Sequence, residues 1–253
     1  MNTYLKNLEK LEFILTYACS GKCKHCSEGD HALKGEKINA DEAAEAVLKL
    51  SGKYDLKTVL VFGGEPLLYP FDAAKIIKAA KDAKIPKRQI ITNGFFSRDR
   101  EKIKEIAKLL FESGVNDLLL SVDAFHQEAI PLEVVKVFAK EAKAQGIPVR
   151  LQPAWLVSDS HDNPYNRKTR EILDSFRDTG IPIGSGNVVF PEGNAKKHLA
   201  EYFGDFSPEN PYQEDPCNVK CLSFEPNGTV LGGNFYENDI FEIIEAYTPE
   251  GEL

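Results

Sequence analysis

At 253 residues, 42% of them hydrophobic and including 15 Phe and nine Tyr, the chain is long enough for one large domain and too apolar for a disordered state. Thirty-one Lys and Arg against 39 Asp and Glu leave a net charge of −8, which disfavours a nucleic-acid backbone as principal partner. Five cysteines, an odd number, argue against a disulfide scaffold, and no apolar run reaches the roughly 18 residues of a membrane helix.

Met1 to Glu12 alternates Lys and Glu with Leu and lacks a signal-peptide core, so a cytoplasmic protein with no membrane partner is expected. Short apolar runs then predict strands over Leu11–Tyr17, Lys57–Phe62, Gln89–Thr92, Asp117–Val122, Val149–Pro153 and Ile181–Val189. Between them, helical periodicity covers Asp41–Leu50, Phe71–Lys84, Arg98–Glu112, Leu132–Gln145 and Arg167–Thr179. Gly114, Gly146 and Gly180 each end a helical run before a strand, as left-handed caps do. Strands separated by helices mean parallel pairing, hence an α/β sheet or partial barrel with its chemistry at the carboxyl ends of the strands. The alternation stops near Tyr202, and Gly204–Glu214 has the Pro, Asp, Glu and Asn content of a linker. The expected division is therefore residues 1–203 for the α/β unit and 204–253 for a small β-containing appendage.

Directly after the first strand, Thr16-Tyr17-Ala18-Cys19-Ser20-Gly21-Lys22-Cys23-Lys24-His25-Cys26 brings three thiols into eight residues. Thiolates select zinc or iron–sulfur clusters. A closed structural zinc site or an electron-transfer [4Fe–4S] cluster takes four ligands, so three cysteines leave an iron with an open position for substrate. The spacing also suits a structural zinc site completed by His31 or His25.

Cys19, Cys23 and Cys26, with His25 before the last, resemble the CxxxCxφC signature of the radical S-adenosylmethionine (radical SAM) superfamily. Gly63-Gly64-Glu65-Pro66 at the end of the second strand is similar to the family's GGEP motif, where the glycines admit a ligand and Glu65 meets the methionyl amine. Further resemblance places Asn93, Ser121 and Asp123 along the S-adenosylmethionine site, Ser121 and Asp123 on one strand face toward ribose hydroxyls. It also sets Arg150 on the methionyl carboxylate and Val189 against adenine. The fold that this implies is a (β/α)6 partial TIM-like barrel. The cofactors implied are a [4Fe–4S] cluster and S-adenosylmethionine, cleaved reductively to a 5′-deoxyadenosyl radical that abstracts hydrogen from substrate. A low-potential electron donor such as flavodoxin or ferredoxin is implied as partner.

The tail resembles a reduced SPASM or twitch appendage, on Cys217, Cys221, Pro226-Asn227-Gly228-Thr229-Val230 and Gly233-Asn234 before Ile240–Ile244; Pro191–Ala195 is similar to the connector that leads into one. Where that family has a cysteine after the turn, this chain has Leu231, Gly232 and Gly233. Cys217 and Cys221 are accordingly open to four readings: part of a second metal centre completed elsewhere, hydrogen-donating redox thiols, zinc ligands, or two inert thiols. With His126 they are the catalytic candidates. Tyr69, Phe95, Phe96, Phe125, Gln127 and Trp155 also lie at strand ends as substrate contacts. The expected substrate is a peptide or a small metabolite; a non-catalytic zinc or iron–sulfur binding module is the alternative.

Overall fold

The computed structural model describes residues 2–32, 34–204, 208 and 210–249. Its elements alternate as the periodicity requires: β1 (Lys10–Thr16), α1 (Ala40–Ser51), β2 (Thr58–Gly63), α2 (Pro70–Asp82), β3 (Lys87–Thr92), α3 (Arg100–Ser113), β4 (Asp117–Ser121), α4 (Ala124–Gln127), α5 (Leu132–Ala144) and β5 (Val149–Gln152). The chain continues with β6 (Ala154–Trp155), α6 (Pro164–Asp174), β7 (Asn187–Val188), α7 (Gly193–His198) and α8 (Ala200–Phe203). Beyond the acidic stretch come β8 (Cys221–Phe224), β9 (Thr229–Val230), β10 (Gly233–Asn234) and α9 (Ile240–Ala246). The middle of the predicted linker, residues 205–207 and 209, lies outside the described residues.

Parallel pairing in the order β5-β4-β3-β2-β1-β8 builds a six-stranded sheet, the curved α/β architecture of a partial barrel. In β1, Leu11, Phe13 and Leu15 are fully buried and alternate with half-buried Lys10, Glu12 and Ile14, so one face meets the helices and the other faces the lumen. Helices α1, α2, α3 and α5 pack neighbour to neighbour over the buried face. Gly114, Gly146 and Gly180 all take positive φ, between 60° and 98°, the left-handed stops read from the sequence.

The sixth strand is the main correction. Ile181–Val189 does not run as one strand: Ile183 makes a lone bridge to Leu151, and only Asn187–Val188 forms β7, beside β6. Pro182 has no N–H to give and Gly186 turns left-handed at φ 76°, which breaks the ladder. The sheet gains its sixth strand at the opposite edge. There β8 runs parallel to β1, pairing Lys10 with Cys221 and Phe13 with Phe224, whose rings stack at 4.7 Å. Phe224, Val230, Phe235 and Ile244 share the apolar core of the barrel, and Asn2 donates to the carbonyls of Ile244 and Tyr247 at 2.8 and 2.7 Å. Among the described residues no helix is long and apolar enough to cross a membrane.

Candidate metal centre and active site

The loop after β1 is shaped by its own backbone. Ala18 N–H bonds the Thr16 hydroxyl at 3.0 Å, Cys19 N–H the Ala32 carbonyl at 2.9 Å and Cys26 N–H the Cys23 carbonyl at 3.2 Å. Gly21 sits between two of the sulfurs: a Cβ there would lie 3.3 Å from Cys23 Sγ and 3.6 Å from Cys19 Sγ. Cys23 is buried, Cys19 and Cys26 half-buried. Gly21 N–H donates to Cys19 Sγ at 3.3 Å and the Asn93 amide approaches it at 3.6 Å, while His31 Nε2 stands 3.1 Å from Cys26 Sγ. Burial pushes the Cys19 thiol up to about 11 and raises Cys23 and Cys26 as well. The neighbouring sulfurs add to the rise at Cys19 and Cys23. Such a loop favours neutral thiols until a cation arrives to offset their charge.

Two segments clamp this loop. Gly64 N–H donates to the Thr16 carbonyl and Glu65 N–H to the Ala18 carbonyl, both at 2.8 Å. A side chain at Gly64 would overlap the Ala18 carbonyl oxygen, so the glycine serves first to let two loops touch. From the far side Asn194 N–H donates to the Cys26 carbonyl at 2.8 Å and its side-chain amide to the Cys23 carbonyl at 3.3 Å. A Cβ on Gly193 would overlap the Ser27 carbonyl oxygen. Glu65 is fully buried, and its carboxylate accepts Thr92 Oγ1 at 2.6 Å, Asn93 N–H at 2.7 Å and Leu67 N–H at 2.8 Å. Burial raises Glu65 to about 7 despite those three donors. Pro66 starts the one-turn helix that Glu65 caps.

Asp123 departs from its expected place. β4 ends at Ser121, and Asp123 caps α4 instead of sharing a strand face with it. Its fully buried carboxylate accepts His126 N–H at 3.0 Å, Ala154 N–H at 3.0 Å and His126 Nδ1 at 2.8 Å, which commits it away from ribose hydroxyls. Burial opposes ionisation there, but the His126 charge and hydrogen bond win and hold Asp123 down at about 2. His126 is raised in turn: burial works against its charge, and Asp123 more than offsets it. His25 lies against Phe125 and His126 with both ring centroids at 4.8 Å, and burial beside His126 lowers it to about 4.

Other expected residues fall elsewhere. Arg150 forks onto Asp117 at the start of β4, Nε and Nη2 at 2.9 and 2.8 Å, where Gln89 also donates at 2.7 Å; this pairing turns it away from a methionyl carboxylate at the strands' carboxyl ends. Ser121 and Asn93 do sit at carboxyl ends, and Val189 packs with Phe125, Leu156 and Leu199 in a second apolar cluster. Cys221 pairs in register with Lys10, six residues down β1 from Thr16, about 20 Å from the loop end at strand rise. Cys217 is exposed and its backbone N–H is held by Asp215. Among the aromatics, Phe125 is core and Trp155 gives its indole N–H to Ser185 O at 2.9 Å.

The periodicity put α6 three residues late; Asn163, capping Asn166 N–H at 2.9 Å, and Pro164 at the first turn were the unused signals. The grip of Gly193 and Asn194 on the cysteine loop had no local signal, since only the fold brings Asn194 to Cys23, 171 residues earlier in the chain.

Comparison with known proteins agrees with this geometry. A probable GTP 3′,8-cyclase of Methanocaldococcus jannaschii is 27% identical over 232 residues, 88% of this chain and 72% of the relative. A similar cyclase of Sulfolobus acidocaldarius is 30% identical over 159 residues, 59% of this chain and 48% of its own length. Streptococcus suis SuiB, solved with S-adenosylmethionine, has the same fold with a TM-score of 0.59 at 14% identity; the likeness covers 94% of this chain and 65% of SuiB. The model of the radical SAM superfamily matches residues 13–203, and the chain, a radical SAM enzyme, belongs to that superfamily.

Proposed function

We propose that Cys19, Cys23 and Cys26 hold a [4Fe–4S] cluster that leaves one iron open to S-adenosylmethionine, and that the enzyme abstracts hydrogen from a substrate held over the lumen face of the sheet. The observation that carries this reading is the meeting of the cysteine loop, the Gly63–Pro66 segment and Gly193–Asn194, with three soft donors on one side. When bound, the cluster and S-adenosylmethionine supply the electron and the carbon-centred oxidant. The chain's own part is placement. Glu65 pins Thr92 and Asn93, and Asn93 and Gly21 point N–H donors at Cys19, which favours charge on that sulfur. Ser121, with its hydroxyl at the end of β4, stands on the same strand face as Leu119 and is the remaining ribose candidate. Gly63, Gly64 and Pro66 shape the backbone beside the cofactor, and His25 and Val189 flank its apolar side.

The substrate favoured is a peptide or small metabolite without a polyphosphate group. On the lumen face toward the amino ends, Lys10 is paired with Glu12 and Arg150 with Asp117, so neither of these cations is free to take a phosphate. A nucleotide is the second reading, favoured by the identity to the GTP 3′,8-cyclases. The reading takes one cluster per chain, with Cys217 and Cys221 outside it, a flavodoxin or ferredoxin as reductant and a reducing cytoplasm as its place. Anaerobic reconstitution with iron and sulfide, followed by assay of 5′-deoxyadenosine with candidate peptides or GTP under dithionite, tests each part. About four irons per chain are expected. Undiminished 5′-deoxyadenosine from the Cys19→Ala, Cys23→Ala, Cys26→Ala triple variant would sink the assignment, and stimulation by GTP alone would select the second substrate reading.

A further inference from the structure

One of the loop thiols also belongs to a different donor set. Cys23 Sγ and one ring nitrogen each of His25 and His126 lie within 4.8 Å of one another. His126 is already held in place: its Nδ1 bonds the Asp123 carboxylate at 2.8 Å, and Asp123 is itself fixed by the amides of His126 and Ala154. A carboxylate behind a histidine settles which ring nitrogen carries the proton and leaves the other lone pair for a metal. His25 adds an independent sign, because its Nδ1 is buried and has no hydrogen-bond partner. Such an atom loses its water on folding and gains nothing in return, unless something binds it.

We propose that the cluster-free chain binds one Zn²⁺ through Cys23, His25 and His126, with water in the fourth position, and that zinc and the iron–sulfur cluster exclude each other because both need the Cys23 sulfur. One thiolate and two imidazoles are nitrogen and sulfur donors that zinc takes, and three protein ligands plus water match the count of its open sites. Binding releases the Cys23 proton and, where His126 is charged, its second ring proton, takes one lone pair from each resulting neutral imidazole and moves no electrons. The ion's two positive charges face the Cys23 thiolate and, behind His126, the Asp123 carboxylate. The inference takes from the proposed function only that Cys23 is a cluster ligand, and it gives the chain a metal-dependent off state.

Anaerobic titration of the full, cluster-free chain with Co²⁺, then with Zn²⁺ in competition, reads the site without turnover. One equivalent is expected, with tetrahedral visible bands and a thiolate charge-transfer band that zinc erases. His25→Phe, which keeps the ring packing, and His126→Gln each weaken binding at least tenfold, and Asp123→Asn weakens it roughly 10- to 100-fold. The Cys19→Ala, Cys26→Ala double variant keeps the site. One equivalent of zinc added before reconstitution lowers iron uptake in the wild type and not in His25→Phe, each against its own zinc-free control. Binding that survives both histidine changes but is lost in the Cys19→Ala, Cys26→Ala variant places the ion on the three thiols and overturns the proposal. So does absence of stoichiometric binding by a chain that melts cooperatively. Iron uptake indifferent to zinc overturns the exclusion. Iron uptake by the zinc-free wild type tests the cluster assignment separately, so the two readings fail by different measurements.

Discussion

Two regions of this chain carry cysteines, and they are built differently. The loop after β1 holds its three thiols inside a frame of contacts from three distant segments: Gly63–Glu65, Asn93 and Gly193–Asn194. Cys19 and Cys23 are electrostatic neighbours of the other loop sulfurs. In the appendage Cys221 lies on the sheet in register with Lys10, and burial beside Glu12 raises it, whereas Cys217 is exposed. Glu214 and Asp215 accept the backbone N–H groups of Lys220, Cys221 and Cys217, so carboxylates, not thiols, organise that turn. The two regions thus differ in what packs around their cysteines more than in the number of thiols they hold.

The largest effects should come from the framed loop. Cys23→Ala removes the buried thiol and should take the iron content of reconstituted protein from about four per chain to below one. Gly64→Ala tests the frame without touching a ligand. Its Cβ would overlap the Ala18 carbonyl, so a loss of roughly 2–3 kcal/mol in unfolding free energy is expected, together with faster cluster loss. A Gly64→Ala protein that melts like wild type and retains its iron would break the claim that contact between the loops, and not ligand approach alone, requires the glycine.

The Asp123–His126 pair should show itself in acid. Asp123 is held at about 2 from its usual 3.8, so its contribution is present above pH 3.8 and is lost as pH falls through 2. His126 is raised, so its share is complete below its usual 6.5 and fades as pH rises through its folded value. Denaturant unfolding of the cluster-free chain should therefore show a stability gain of about 2 kcal/mol on the acid limb that Asp123→Asn removes. An unchanged acid limb in that variant would mean that the buried pair is not what orders the loop's inner side.

Much of the fold was legible because its signals are local. The short apolar run of β1, the helical period of α3 (Ile103, Ile106, Leu109 and Leu110, of which all but Leu109 are buried) and the three left-handed glycines needed only neighbours in sequence. The cysteine loop and Gly63–Pro66 were legible because each follows directly from a strand end. What was missed is non-local. A pattern of short apolar runs cannot say that β8 joins β1 or that Gly186 interrupts the run before β7. Nor can it say that Arg150 faces Asp117 across a strand or that Asp123 turns inward to cap α4, because both depend on register and on where β4 stops.

The smallest effect belongs to the appendage, and it sharpens the comparison most. Cys217 is exposed, so Cys217→Ser should change stability by no more than about 0.5 kcal/mol; Cys221 is half-buried beside Glu12, and Cys221→Ser should cost about 1 kcal/mol. The double variant should keep the full iron and sulfide count and the same yield of 5′-deoxyadenosine, because neither sulfur lies on the loop that the frame encloses. Loss of half the iron would instead mean that the carboxylate-organised turn and Cys221 hold a centre of their own. Full iron with a lost hydrogen-transfer product would assign one of the two thiols to the reaction in spite of its place, since Lys10, Glu12 and Cys221 share the amino ends of β1 and β8, opposite the cysteine loop. The double variant thus separates a tail that completes the sheet through β8 from one that also does chemistry.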